Sequence, residues 1–280
     1  MTAPIDSPIL TKNVFNSKVW AIPMAISICI ICFNEEENIR RCLESSQWAD
    51  EIIVVDSISQ DKTVEIAREY TDKVYQRKWS GFVDGKNFAL SKSTCGWVVS
   101  LDADEEITNE LRGEIKEEIG KELTKEGYTV PRISFYQGRW IKHSGFYPDR
   151  QLRLFKRDKG SWVGKRVHER VQVNGEVGQL TNNLLHYPYK GTISGQVKTI
   201  DAFSTLLAQN LHEQGKRYGP LLLLLRPPLK FIEVYLLRLG FLDGVAGFII
   251  ALSSAYAVFV RYVKLREVEK DLASSSLSHP

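Results

Sequence analysis

Methionine occurs only twice, histidine five times and cysteine four times in the 280 residues. Cys29 and Cys32 form one C-x-x-C spacing, but no second pair follows, so neither a zinc ribbon nor a disulfide framework is expected. Both lie in the apolar run of residues 25–33, where they read as core thiols of a reducing compartment. Charge of one sign is missing too. The 37 Lys and Arg against 34 Asp and Glu leave a net charge of +3, too mild to argue for a nucleic-acid partner. The N-terminal residues MTAPIDSPILTKNVF lack a basic start followed by an apolar run, so no secretory leader is expected and the chain reads as cytosolic.

What is present is a core-forming composition, 43% hydrophobic and 25% charged, in a length that suits one large domain or a domain plus an appendage. From about residue 25 to residue 111, the apolar runs AISICIICF, EIIVVD and WVVSLD alternate with the polar stretches EEENIRRCLESS, DKTVEIAREY and DGKNFALSKS. Unbroken Ile/Val runs separated by helices are the mark of a parallel α/β sheet covered on both faces. Asn34 and Glu37 stand at capping-box spacing, and Asp61 precedes the second helical stretch. From residue 128 to 189 the texture changes to short aromatic and β-branched runs, read as mixed or antiparallel strands. There Asn174-Gly175 between VQV and EVGQL signals a hairpin. The resulting division is an N-terminal extension (1–24), a main α/β domain (25–192, with halves 25–108 and 128–192), a helical region (193–270) and a disordered tail (271–280).

In open α/β sheets ligands bind beyond the carboxyl ends of the strands. The first run ends Phe33-Asn34-Glu35-Glu36-Glu37, the second Asp56-Ser57 and the next long one Asp102-Ala103-Asp104-Glu105. Carboxylates crowded at one sheet edge repel unless a cation or a hydrogen-bonding ligand meets them. In extended chain Asp102 and Asp104 point to one face, a hard-oxygen pair suited to Mg²⁺ or Mn²⁺ carrying a diphosphate.

Taken in order, ISICIICFNEEENIRRCLESS, EIIVVDSISQDKT, DGKNFAL and SLDADEEIT resemble the nucleotide-binding half of the family 2 glycosyltransferases, which have the GT-A fold. The later segment GRWIKHSGFYPDRQLRLFKR, with VHERV and LLHYPY, resembles the branch that includes lipopolysaccharide core glucosyltransferases. The resemblance implies a fold, an activity and a set of roles. The fold is α/β, a Rossmann-like mixed sheet flanked by helices, with a C-terminal helical extension. The activity is metal-dependent, inverting transfer of a sugar, by default glucose from UDP-glucose, onto a lipid-linked or glycolipid acceptor of the cell envelope. Asn34, Glu35 and Asp56 would line the nucleobase and ribose pocket, Lys86 and Asn87 would face the donor, Asp102 would contact the ribose and metal region, and Asp104 would hold the metal. Such a displacement needs a base for the acceptor hydroxyl. Glu169 is preferred and Asp149 is the alternative, its other role being to pair with Arg150 or Arg153 on the acceptor side. His168 and His186 are candidate phosphate or metal contacts.

The region after residue 193 carries apolar runs flanked by Lys216, Arg217, Arg226, Lys230, Arg238, Arg261, Lys264 and Arg266. Phe241–Val260 approaches a bilayer span in length, but Asp243 and several Gly and Ser residues interrupt it. Helices lying on the anionic inner face of the cell membrane are expected, with a core helix, a homo-oligomer contact or a true span as alternatives. Two other functions stay open from the residues alone: a nucleotidyltransferase making nucleotide-sugars, and a degenerate sugar-binding scaffold. The first usually shows a Gly-rich phosphate loop, which CIICFNEEEN does not contain; the second is disfavoured by the intact Asp56, Asp102 and Asp104.

Overall fold

The structure, a computed structural model, describes residues 24–121, 123–164, 169–217 and 219–277. Its centre is β1 (Ile26–Cys32), paired in parallel with β2 (Glu51–Asp56) on one side and β4 (Trp97–Asp102) on the other. Between them run α1 (Ile39–Glu44), α2 (Thr63–Arg68), the edge strand β3 (Val74–Gln76) and α3 (Phe82–Lys92). The parallel order 3-2-1-4 follows from the Ile/Val runs: every residue of β2 is buried, as a strand covered on both faces requires.

After β4 the chain makes β5 (Glu105–Ile107), α4 (Asn109–Ile119), the long β6 (Gly127–Tyr136), β7 (Arg139–Trp140) and β8 (Asp149–Lys156). The strand β8 runs antiparallel to both β4 and β6 and joins the two halves into one mixed sheet. Next come β9 (Gly160–Val163), β10 (Arg170–Val173), β11 (Val177–Gln179) and β12 (Leu184–His186). This is the GT-A architecture that the resemblance implied: a Rossmann-like parallel half continued by antiparallel strands.

Cys29 packs on the sheet face covered by Ala89 of α3, and Cys32 belongs to the core on the opposite face. Three residues apart on a strand, the two point opposite ways, so the C-x-x-C spacing is not a redox pair. Burial pushes both thiols well above their ordinary value.

Three local expectations fail for identifiable reasons. The strands on either side of Asn174-Gly175 do not pair with each other: β10 pairs with β9 and β11 with β6. Gly175, at φ 139°, instead lets the turn lie against Glu126, whose side chain a Cβ would meet at 2.5 Å. The Asn34 capping box does not form either. The helix starts later, at Ile39, and the Asn34 amide oxygen accepts from the Gln60 backbone N–H at 2.8 Å. Finally, the last helix runs to Leu277, through most of the segment expected to be a disordered tail, because no Pro or Gly follows Gly247 before Pro280. The expected N-terminal extension lies almost wholly outside the described residues.

The C-terminal region comprises α5 (Ile193–Glu213), α6 (Pro220–Ile232) and α7 (Gly244–Leu277). It is docked on the sheet. Val234, Ala246, Ile250 and Ala251 form one buried cluster with Tyr136 and Ile141. Asp243, which interrupts the apolar run, is 1% exposed and accepts from the backbone N–H groups of Lys142 and His143 and from the Ser144 hydroxyl. It ties the helical region to the catalytic domain. Gly247 allows a close backbone crossing, since a Cβ there would lie 1.8 Å from the Gly240 carbonyl oxygen. By length and composition, the stretch Gly240–Glu269 is apolar enough to cross a membrane, with 33% of its most apolar window buried inside the protein.

Candidate active site

The register of the parallel strands brings the carboxylates together. Asp56 lies opposite Cys32, and Asp102 lies opposite Ile31 one residue away. Beyond these strand ends opens a cleft of about 890 Å³, lined by Glu35, Lys86, Asp102, Asp104, Glu169 and His186 among the residues expected from sequence.

Asp102 ends β4 with both oxygens engaged. Lys86 Nζ lies 3.0 Å from Oδ1, and the Arg153 guanidinium lies 2.6 Å from Oδ2. Burial alone would raise the Asp102 carboxyl, but Arg153 and Lys86 outweigh it and hold the group well below the usual carboxylate range. Arg153 also pairs with Glu105, whose other partner, Arg132, reaches Asp149 at 2.6 Å. A chain of alternating charges thus runs from Asp102 to Asp149, with Asp102 and Arg132 lining the cleft and Arg153 and Glu105 buried. Lys86 is itself buried at 4% exposure, over the Trp162 ring at 4.2 Å, with Glu169 Oε1 at 4.0 Å.

Asp104 does not share Asp102's extended geometry; Ala103 and Asp104 form a turn into β5. Its Oδ2 lies 3.3 Å from His186 Nε2, while His186 Nδ1 is 2.9 Å from the Ser134 hydroxyl. The Ser134 contact orients the ring, so that a carboxylate oxygen and an imidazole nitrogen sit side by side at the cleft. That donor set fits Mg²⁺ or Mn²⁺, with Asp102 already neutralised. Among the described residues no group of three or more His, Cys, Asp and Glu forms a full metal cage. Mg²⁺ is ordinarily held by one or two carboxylates and completed by substrate phosphates, so a partial donor set is the arrangement the chemistry calls for.

Several expected residues stand behind the cleft rather than in it. Asp56 is fully buried and accepts from the Ser59 backbone N–H at 2.9 Å and from Gln76 Nε2 at 3.2 Å; its neighbour Ser57 forms the wall. Asn34 braces the same loop through Ser59 and Gln60. Asn87 exchanges two 2.9 Å hydrogen bonds with the Trp162 backbone and so fastens α3 to β9. Arg150 donates to the Leu180 carbonyl. Asp149 pairs with Arg132, not with Arg150 or Arg153 as its alternative role supposed. His168 lies outside the described residues. Arg132 and Trp162 were not expected and no motif marks them; β8, paired with both β4 and β6, brings Arg132 to the Asp102–Glu105 strand end that the sequence did show.

Glu35 differs from the paired acids. Burial pushes its carboxyl up to about 6, against the pull of the Asn38 amide and with the Asp104 charge adding to the rise. Its ordinary value is 4.5, so the folded state holds an extra proton between 4.5 and about 6, and stability falls as pH rises through that window. Glu35→Gln is therefore expected to stabilise the ligand-free protein by about 2 kcal/mol at pH 7, with the gain vanishing below pH 4.5. Urea melts of both proteins across that range check the sign; a variant less stable at pH 7 contradicts it.

With this geometry in view, comparison with known proteins identifies the family. Residues 27–174 match the model of Glycosyl transferase family 2, so the chain belongs to that family and is a glycosyltransferase. It is 31% identical over 249 residues to the lipopolysaccharide core biosynthesis glycosyltransferase LpsC of Rhizobium meliloti (strain 1021), covering 86% of this chain and 92% of that one. It is 32% identical over 255 residues to an uncharacterized glycosyltransferase of Rickettsia typhi, covering 87% of each chain. Among solved structures it is similar to S. aureus TarS 1-349, at 16% identity and a TM-score of 0.43, over 90% of this chain and 92% of that one. Family membership sets aside the nucleotidyltransferase alternative.

Proposed function

We propose that this glycosyltransferase moves a sugar, by default glucose from UDP-glucose, with inversion onto a lipid-linked or glycolipid acceptor of lipopolysaccharide-core type at the cytoplasmic face of the membrane. The observation that carries the reading is the convergence of Glu169, Lys86, Asp102 and Asp104, from separate segments, on one cleft large enough for a nucleotide-sugar. The acceptor hydroxyl attacks C1 of the donor sugar, the bond from C1 to the phosphate oxygen breaks, and the nucleoside diphosphate leaves with the electron pair. Glu169 accepts the hydroxyl proton. Asp104 and His186 would hold the Mg²⁺ or Mn²⁺, which when bound neutralises charge gathering on the departing diphosphate. Lys86, fixed by Asp102, adds a positive charge beside Glu169 and the cleft. The likeness to LpsC supports the acceptor class. A thermal-shift panel of UDP-, GDP-, dTDP- and CDP-glucose with Mn²⁺ tests the donor: UDP-glucose is expected to raise the Tm, and no shift with any donor would overturn the reading.

The membrane placement rests on exposed apolar side chains gathered in the helical region. Leu221, Leu224, Leu237 and Val245 are 66%, 71%, 76% and 77% exposed. A surface-bound region draws on this apolar area and on nearby Lys and Arg. The full chain is expected to sediment with phosphatidylglycerol vesicles, less at high salt, and about tenfold less as the double variant Leu237→Glu, Val245→Glu. No vesicle binding at any salt concentration would contradict it.

A further inference from the structure

The cleft that holds Asp104 is also walled by α5 and α7, and its cations divide into two kinds. Lys86 is paired with Asp102, Arg132 with Glu105 and Asp149, and Lys190 donates to the Asn34 carbonyl oxygen. Lys198 of α5 and Arg261 of α7 also line the cleft, yet neither has an ion-pair or hydrogen-bond partner among the described residues. Arg261 Nε is buried with its donor unused. Lys264, one turn further along α7, shows the contrast, for it is neutralised by Asp201. A buried guanidinium donor without an acceptor is costly, and the planar fork of arginine suits an oxyanion.

Beside these cations the cleft wall is aromatic. Trp79 and Phe82 pack edge to face with centroids 4.6 Å apart, and Phe82 stacks with Phe203 of α5 at 6.5 Å. Trp79 and Phe203, both lining the cleft, are 53% and 39% exposed, so flat ring faces are open to a ligand there. The surface joins flat apolar area to unneutralised positive charge.

We infer that α5 and α7 form the acceptor site and select an anionic glycan, with its phosphate or carboxylate oxyanion on Arg261 and Lys198 and a sugar ring on the Trp79–Phe82–Phe203 surface. This rests on the glycosyltransferase reading and adds to it the chemical class of the acceptor. The donor's own diphosphate is a rival source of the same chemistry, so the test occupies the donor side first.

The full chain, saturated with UDP and Mn²⁺, is titrated calorimetrically with glucose 6-phosphate, glucuronate, methyl glucoside and inorganic phosphate. At least one of the two sugar anions is expected to bind, and methyl glucoside and inorganic phosphate to bind about tenfold more weakly or not at all. Arg261→Gln and Lys198→Gln are each expected to weaken the sugar anion about tenfold while the UDP titration keeps its wild-type affinity. Circular dichroism checks the fold, and Lys198, an exposed residue of α5 at the cleft, supplies a variant outside the core. The assignment is overturned if both variants lose UDP affinity, which would give the cations to the diphosphate. It is also overturned if inorganic phosphate or methyl glucoside binds as tightly as the sugar anions, if no sugar anion binds, or if the variants bind it normally. A wild-type chain that takes up no UDP would sink the glycosyltransferase reading instead, and the same titrations run without UDP would still decide the anion site.

Discussion

Asp104→Ala is expected to lower sugar transfer about 10³-fold while leaving the metal-free protein at least as stable as wild type. The two halves of this expectation have one cause. Asp104 is a carboxylate at a crowded strand end, and the contact its side chain makes is His186 at 3.3 Å. Its charge already acts against Glu35, whose raised carboxyl it helps to push up. Removing it relieves repulsion in the empty site and takes away the oxygen donor that the diphosphate's counter-ion would use. Asp102→Ala is expected to behave differently. It would strip Lys86 of its close counter-ion and leave the buried Arg153 with Glu105 alone, and breaking a buried pair costs about 3–5 kcal/mol. Urea melts beside initial-rate transfer assays at limiting Mn²⁺ separate the two. Near wild-type transfer by Asp104→Ala would remove the metal role.

Glu169→Gln is expected to cut turnover about 10²–10⁴-fold with little change in donor affinity, because a base acts mainly in the transition state. Glu169 is 19% exposed at the cleft, close enough to Lys86 to be held but with room for a hydroxyl. Asp149 makes a poorer base in this setting. It does not line the cleft, and its carboxylate is bridged to Arg132 and accepts from Gln151. Asp149→Asn is therefore expected to show up in stability more than in turnover. A folded, inactive Asp149→Asn beside a fully active Glu169→Gln would reverse the assignment.

The parallel half was legible because its strands are unbroken Ile/Val runs, and the cleft opens where those runs stop. Glu35, Asp102 and Asp104 reach the cleft that this logic implies, and Lys86 and Glu169, which the resemblance pointed to, line it as well. What sequence could not supply was the partner of each polar group. Asp56 and Asn87 have the right residue types at the right strand and helix, but Ser59 and Gln76 absorb the first and the Trp162 backbone absorbs the second. Asp243 read as a flaw in an apolar span. Its meaning depends on the loop at Lys142–Ser144, about a hundred residues earlier in the chain. The Asn174-Gly175 signal was local and sound as a turn, but competing long-range pairings with β9 and β6 claimed the flanking strands.

The most direct measurement follows radiolabelled glucose from UDP-glucose into the envelope glycolipid fraction of a strain lacking this protein, with purified full chain and Mn²⁺ and with UDP release counted in parallel. One glucose is expected to enter the glycolipid for each UDP released, and both signals are expected to collapse together in Asp104→Ala and Glu169→Gln. Transfer that survives in both variants, or UDP release with no label in the glycolipid, would contradict the assignment of this cleft as the site of glycosyl transfer.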